Sequence, residues 1–245
     1  MTTTGQFPTT TVYRSHFDGQ VLTPGNPGYD SALSVWNGMI DHRPELIVQC
    51  ASVGDVVTAV RTARERDLEI GVRCGGHNIA GLAVPDGGLM IDLTTMGRVT
   101  VDPVTLRARV QGGAMLGALD RASQPFGLAT TAGNVSHTGV GGLTLGGGMG
   151  WLARQYGLTC DNVVSCSVVT ANGDVMRASA DEHPDLFWAC AAVAATSGSS
   201  SNSSSGCIPS ARGPWSRSSP SHSIAPPQRC VAGATWPRRP PVRPR

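Results

Sequence analysis

The chain has 245 residues, 40% of them hydrophobic and 15% charged, ordinary values for one large or two modest soluble domains. Its formal net charge of +2 conceals a split: residues 1–189 carry 17 acids against 12 arginines, and residues 190–245 carry seven arginines and no acid. Lysine is absent throughout, the mark of a GC-rich gene. The basic end is not read as a nucleic-acid arm, because its arginines are scattered among prolines with no interleaved aromatic stacking pattern. Seven cysteines, an odd number without a CxxC pair, signal neither a zinc site nor a disulfide framework; no metal is expected, and a reducing compartment fits best. The start "MTTTGQFPTT" lacks the basic and apolar segments of a signal peptide, and no run approaches the roughly 20 apolar residues of a membrane span. A cytoplasmic chain with no membrane or nucleic-acid partner is expected. The sequence leaves oligomeric state open.

Residues 1–39 read as an N-terminal extension. "ELIVQC" (Glu45–Cys50) is a short apolar strand, and the following "SVGDVVTAVRTARERDL" predicts a helix with Ser52 as N-cap and Val56, Val57, Val60 and Ala63 at helical spacing. "EIGVRC" (Glu69–Cys74) reads as a second strand, so that strand, helix and strand suggest a right-handed βαβ unit. "GGLMIDL", "RVTVD" and "TLRARVQGG" are strand-like pieces separated by turn residues, and "AMLGALDRASQPFG" is helical. "NVVSCSVVTANGDVMRAS" predicts a hairpin turning at Asn172-Gly173. Residues 40–189 therefore form an α+β domain without internal repeats.

Two glycine-rich loops stand out within it. In "VRCGGHNIAG" (Val72–Gly81), two glycines directly after a strand let backbone N–H groups approach an anion, and a reactive imidazole, His77, follows at once. Taken alone, the loop reads equally well as a glycine-rich turn carrying a surface histidine. "HTGVGGLTLGGGMG" (His137–Gly150) misses the GxGxxG spacing and has no strand leading into it, and no GxxxxGK[ST] loop is present. A nicotinamide-binding Rossmann domain is thus not expected; a ligand loop and a tight helix crossing that needs small residues both remain open.

Together, "VRCGGHNIAG", "MIDLTTM", "GNVSHTGVGGLTLGGGMGWLARQYGLTCDNVVSCSVVTANGDV" and "HPDLFWA" resemble, in order and approximate spacing, the FAD-linked oxidases of the berberine bridge enzyme-like group. The resemblance covers roughly residues 40–189. It implies a PCMH-type FAD-binding domain, of the vanillyl-alcohol-oxidase kind, in which two α+β subdomains hold an extended FAD. It further implies that His77, at the histidine of the family's GGH motif, is covalently attached to the flavin 8α-methyl group. By the same analogy Arg73, Gly75, Gly76 and Asn78 line the diphosphate, the second loop contributes Gly133, Thr138, Gly139 and Gly142, and Val169 lies near the adenine end. Where many members carry a second linking cysteine this chain has Val135, which implies a singly attached flavin of lower redox potential. His137 falls where the loop should pass the isoalloxazine, and is open between acting on substrate or reduced flavin and a structural hydrogen bond. His16, His42 and His183 read as surface residues, and Cys160 and Cys166 as small buried strand residues. The implied reaction is oxidase-type hydride transfer to flavin from an alcohol, sugar or natural product.

After "DLFWA" the family text continues as Leu-Arg-Gly-Gly-Gly-Gly-Asn-Phe-Gly, whereas here "CAAVAATSG" follows. Reverse-translated and read one base earlier, these residues become compatible with that family text. Continuing through "SSSNSSSGCIPSARGP" gives codons compatible with Val-Val-Val-Glu-Phe-Glu-Phe-Gly-Leu-His-Pro-Val-Gly-Pro. The reading frame is therefore expected to slip near Ala189, leaving residues 190–245 as an out-of-frame tail whose Ser, Pro and Ala content predicts disorder. Sequencing the gene around codon 189 checks this; an uninterrupted family-like frame that encodes the tail would refute it. On this reading the substrate domain and the catalytic base are missing, no catalytic residue is assignable, and the alternative to an enzyme is a non-catalytic, truncated flavin-binding fragment.

Overall fold

The structure is a computed structural model that describes residues 16–192, together with two short backbone strands at 206–208 and 216–217. Its first part is a four-stranded sheet in the order β1 (Gln20–Leu22), β2 (Leu46–Gln49), β4 (Leu89–Asp92), β3 (Ile70–Arg73). β2 and β3 both run parallel to β4, which lies between them, and β1 runs antiparallel on the β2 edge. The strand–helix–strand unit read from the sequence thus spans an inserted third strand rather than joining neighbours.

Buried on both faces, β2 and β4 are continuous apolar runs, as parallel strands must be. One face packs against helix α2 (Val53–Glu65), whose Val56, Ala59, Val60 and Ala63 repeat at helical spacing and are almost fully buried. The other face takes Tyr29 and Ala32 from the short helix α1 (Tyr29–Leu33), together with Ala83 and Val84. The Tyr29 hydroxyl donates to the Pro44 carbonyl at 2.6 Å. Residues 16–39, expected as an extension, therefore complete the sheet and its core.

A capping box starts α2. The Ser52 hydroxyl accepts from the Asp55 N–H at 3.2 Å, and the Asp55 carboxylate accepts in return from the Ser52 N–H at 3.3 Å. The same carboxylate, 2% exposed, also accepts from the N–H groups of Asp18 (2.7 Å), Gly19 (3.0 Å) and Ala51 (2.8 Å). It ties the entry to β1 onto the head of the helix. Asp55→Ala would leave these part-buried donors without their charged acceptor, at about 3 kcal/mol, and lower the melting temperature by roughly 10 °C. Circular-dichroism melts check this, and a fall of only a degree or two would show that water replaces the carboxylate.

The second part is built from two hairpins and their helices. β5 (Val99–Asp102) pairs with β6 (Arg107–Val110), and their inward residues pack with α3 (Leu116–Ser123) around Ala108, Val110, Leu116 and Leu119. β8 (Ser165–Val169) pairs with β9 (Val175–Ser179). Their turn is closed by the Gly173 N–H donating to Thr170 O at 2.8 Å, with Gly173 alone at positive φ (79°). That is a type I turn followed by a left-handed glycine, not the two-residue turn that Asn-Gly favours most. Arg61 and Arg64 of α2 reach this turn, hydrogen-bonding Gly173 O and Asn172 Oδ1.

A two-residue strand, β7 (Leu128–Ala129), and the short helices α4 (Val140–Leu145) and α5 (Ala153–Tyr156) connect the hairpins. Helix α6 (Pro184–Ala192) packs on β8 and β9 through Leu186, Phe187 and Cys190 against Cys166, Val168 and Ala178. The expected boundary at residue 189 falls inside α6. Within the tail, Gly206–Ile208 (β10) runs antiparallel to β8 and Ser216–Arg217 (β11) pairs with β7, so disorder does not describe those five positions. The remainder of the expected disordered tail lies outside the described residues. Mixed helices and strands in two α+β parts make this the expected α+β architecture. No described helix is long and apolar enough to cross a membrane.

Candidate functional site

The two glycine-rich loops meet face to face. The first leaves the end of β3 and the second enters α4, and between them opens a cleft of about 360 Å³. Its walls are Val72, Cys74, Gly75, Gly76, His77, Asn78, Ile79 and Ala83 on one side and Thr138, Gly139, Gly142 and Leu143 on the other. Contact is so close that a Cβ on Gly75 would stand 2.3 Å from Gly139 N, and one on Gly139 would stand 2.3 Å from Cys74 Sγ and 2.5 Å from Gly75 N. Glycine is required at both positions because two backbones touch. The isolated β-bridge between Met115 and Gly139, with Val140 N–H donating to Ala114 O at 2.8 Å, fixes the second loop against the start of α3.

His77 is half-buried at the rim. Its Nε2 lies 2.8 Å from Nδ1 of His137 on the opposite loop, and the rings are tilted by 32° with centroids 4.8 Å apart. Trp36 stacks on His77 at 5.8 Å and 18°, and its backbone N–H donates to Gly76 O at 3.0 Å. Burial and, after it, the facing His137 ring hold the His77 imidazole below the ordinary histidine range, while the His137 carbonyl opposes them. A neutral ring keeps a lone pair for nucleophilic attack. Burial pushes the Cys74 thiol up, against the opposing pull of the Gly141, Gly75 and Gly142 N–H groups, so its sulfur is held as a thiol.

Of the residues singled out in the sequence, Gly75, Gly76, His77, Asn78, Thr138, Gly139 and Gly142 converge on the cleft. Arg73, Gly133 and Val169 are not among its walls. The Arg73 guanidinium lies 3.6 Å from the fully buried Asp92 carboxylate and donates to Ala32 O. Asp92 also accepts from Thr94 N–H and Oγ1 (3.0 and 2.8 Å) and from Gln49 (3.2 Å). Arg73 therefore braces the underside of the loop. Gly133 packs behind the wall, where a Cβ would meet Leu143 and Leu116 at 3.0 and 3.2 Å, and Val169 is 1% exposed in the core around α2. Trp36, Cys74 and Leu143 were missed; only Trp36 left a trace, the one aromatic in "SVWNGMI".

His42 is half-buried with Nδ1 2.9 Å from Val84 O, unlike the exposed His16 and His183. Cys166 is a buried strand residue, but Cys160 is only half-buried and opens the 3₁₀ turn Cys160–Asn162. Among the described residues, no group of three or more His, Cys, Asp or Glu could hold a metal ion.

The loops suit an anionic ligand. The N–H groups of Gly76, His77 and Asn78 donate to no acceptor among the described residues. A Cβ on Gly142 would meet nothing within 4 Å, leaving open space beside α4. Arg73 Nε, buried and without a hydrogen-bond partner among the described residues, lies under Gly76, 3.6 Å from where a Cβ there would stand. Residues 44–179 match the FAD binding domain family. The chain belongs to that family.

Its relatives are FAD-linked oxidoreductases. It is 44% identical over 171 residues to (R)-6-hydroxynicotine oxidase of Paenarthrobacter nicotinovorans, covering 70% of this chain and 37% of that protein. Berberine bridge enzyme-like protein 1 of Physcomitrella patens superposes with a TM-score of 0.77 at 27% identity, covering 85% of this chain and 44% of that one. A glucooligosaccharide oxidase of Acremonium strictum, which carries a 6-S-cysteinyl, 8α-N1-histidyl FAD, superposes with a TM-score of 0.72 at 29% identity, over 81% and 40% of the two chains. This chain thus spans about two fifths of the length of the proteins it matches. The fold is that of the FAD-binding part of these oxidases, and FAD is the cofactor its loops fit.

Proposed function

We propose that the chain is the FAD-holding domain of an oxidase-type oxidoreductase that takes a hydride from a small alcohol, sugar or natural product, with the cofactor covalently held by His77. The observation that carries this reading is the pair of interlocked glycine loops with a neutral, half-buried imidazole lining the cleft at their junction. When bound, FAD supplies a two-electron acceptor whose 8α-methyl carbon a neutral imidazole nitrogen can join. Gly76 and Asn78 offer backbone donors to the diphosphate, with Gly75 setting the close approach to Gly139 beside them and Arg73 bracing the loop from beneath. Thr138, Gly139 and Gly142 supply the opposite wall, backed by Gly133, and Val169 shapes the far end through the core. Val135, 39% exposed beside the second loop, offers no sulfur for a second bond.

The coverage of relatives favours a second reading alongside the first: the chain matches 37% and 44% of two of them, and on this reading the residues that select a substrate and remove its proton would lie in the unmatched remainder. The chain as it stands then holds flavin without turning over. Purification and acid precipitation test both. A yellow pellet, with a peptide containing His77 heavier by one FAD, is expected. Flavin present before acid and lost on precipitation would overturn the covalent bond alone, and a chain that takes up no flavin would overturn the whole reading. Turnover by a chain carrying stoichiometric flavin would reject the fragment reading.

A further inference from the structure

His77 and His137 face each other through unlike nitrogens, Nε2 of the first and Nδ1 of the second, at 2.8 Å. A hydrogen bond between two neutral imidazoles needs one proton between them, and this pairing allows two arrangements. If His77 Nε2–H donates, His137 accepts at Nδ1 and carries its own proton on Nε2. Both rings are then in the Nε2–H tautomer that free histidine prefers. If His137 Nδ1–H donates instead, His77 accepts at Nε2 and carries its proton on Nδ1, so both rings sit in the disfavoured tautomer. The crossed geometry therefore favours the first arrangement twice over.

We infer that His137 is a positioning residue that fixes the His77 proton on Nε2 and so leaves Nδ1 as the nitrogen with the free lone pair. Trp36, stacked on His77 and with its backbone N–H bonded to Gly76 O, keeps the imidazole plane from turning out of this bond. Among the described residues no carboxylate is bonded to either ring, and the buried Asp92 carboxylate is engaged by Thr94, Gln49 and Arg73. The tautomer is thus set by one imidazole acting on another. The inference rests on His77 being the linking residue, because only then does its free nitrogen have work to do, but it can be read without flavin.

Long-range ¹H–¹⁵N spectra of the full chain, expressed without added flavin, report which nitrogen of each histidine carries the proton. At pH 8 the His77 Nε2 should resonate as protonated and Nδ1 as unprotonated. His137→Phe keeps a ring in place and removes the acceptor, and the His77 tautomer ratio should fall by roughly tenfold toward that of free histidine, the effect of one lost hydrogen bond. His137→Asn, whose side-chain oxygen can accept, should restore part of it. Acid-stable flavin incorporation should fall with the ratio and recover with it. A His77 protonated on Nδ1 in the unaltered chain, as would follow if the His137 carbonyl captured the proton, would overturn the inference whether or not any variant folds. So would a ratio unmoved by His137→Phe. Failure of flavin attachment with the tautomer as expected would count against His77 as the linking residue and leave the tautomer control standing.

Discussion

His77→Ala is expected to leave a chain that releases all of its flavin on acid precipitation. The loss should be complete because no other group at the junction can take over. Val135 has no nucleophilic atom, and Cys74, although it lines the same cleft, has its sulfur turned toward the Ala114 carbonyl at 3.7 Å and held as a thiol by burial. A thiol that burial keeps protonated is a poor nucleophile. His137 is on the opposite loop and exposed, with its Nδ1 directed at the ring that has been removed. The rest of the cradle is backbone, so reversible FAD binding should survive with weaker affinity. Mass spectrometry of the denatured variant decides the matter: a species heavier by one FAD would show that attachment does not pass through residue 77.

Local chemistry was legible in the sequence, and tertiary pairing was not. Ser52 before an apolar helical repeat and Asn172-Gly173 between two apolar runs are contacts made within a few residues, where propensity and patterning act directly. The two glycine loops could be found for the same reason, each following a recognisable strand or leading into a helix. Their interlock could not be read, because a glycine needed for a close approach looks the same as one needed for a turn. Arg73 shows the limit clearly. Its position beside Gly75 and Gly76 suggests a phosphate contact, yet the side chain turns to a carboxylate 19 residues away on the neighbouring strand. Trp36 and β1 were out of reach because they precede the apolar pattern that defines the domain and join it only through edge pairing and stacking. The turn at Gly173 differs from the commonest Asn-Gly form because α2 reaches across to hold it, a contact spanning more than 100 residues.

The largest stability effect in the site is expected at Gly139. Its backbone, with φ −72° and ψ 131°, is in a region open to every residue, so a substitution there is not opposed by dihedral strain. The opposition is steric. A methyl group on Gly139 would stand 2.3 Å from Cys74 Sγ, 2.5 Å from Gly75 N and 2.8 Å from Cys74 Cβ, and two of those three neighbours are fixed by the backbone of the facing loop. No rotamer change relieves such a clash, so the loops must separate. The expected cost of Gly139→Ala is about 3 kcal/mol, seen as a fall in melting temperature of roughly 10 °C, with loss of flavin uptake because the cleft loses its shape. Adding Cys74→Gly removes the sulfur and Cβ contacts but leaves the approach to Gly75 N, so the double variant should recover only part of the loss. Gly142→Ala is the matched control, because its Cβ would meet nothing within 4 Å and it lies inside α4, where alanine is the better helix former. That variant should melt at or slightly above the unaltered chain yet bind flavin less well, its methyl group entering the space beside the cleft. If Gly139→Ala melts within a degree or two of the unaltered chain and still takes up flavin, the loops are not locked by backbone contact.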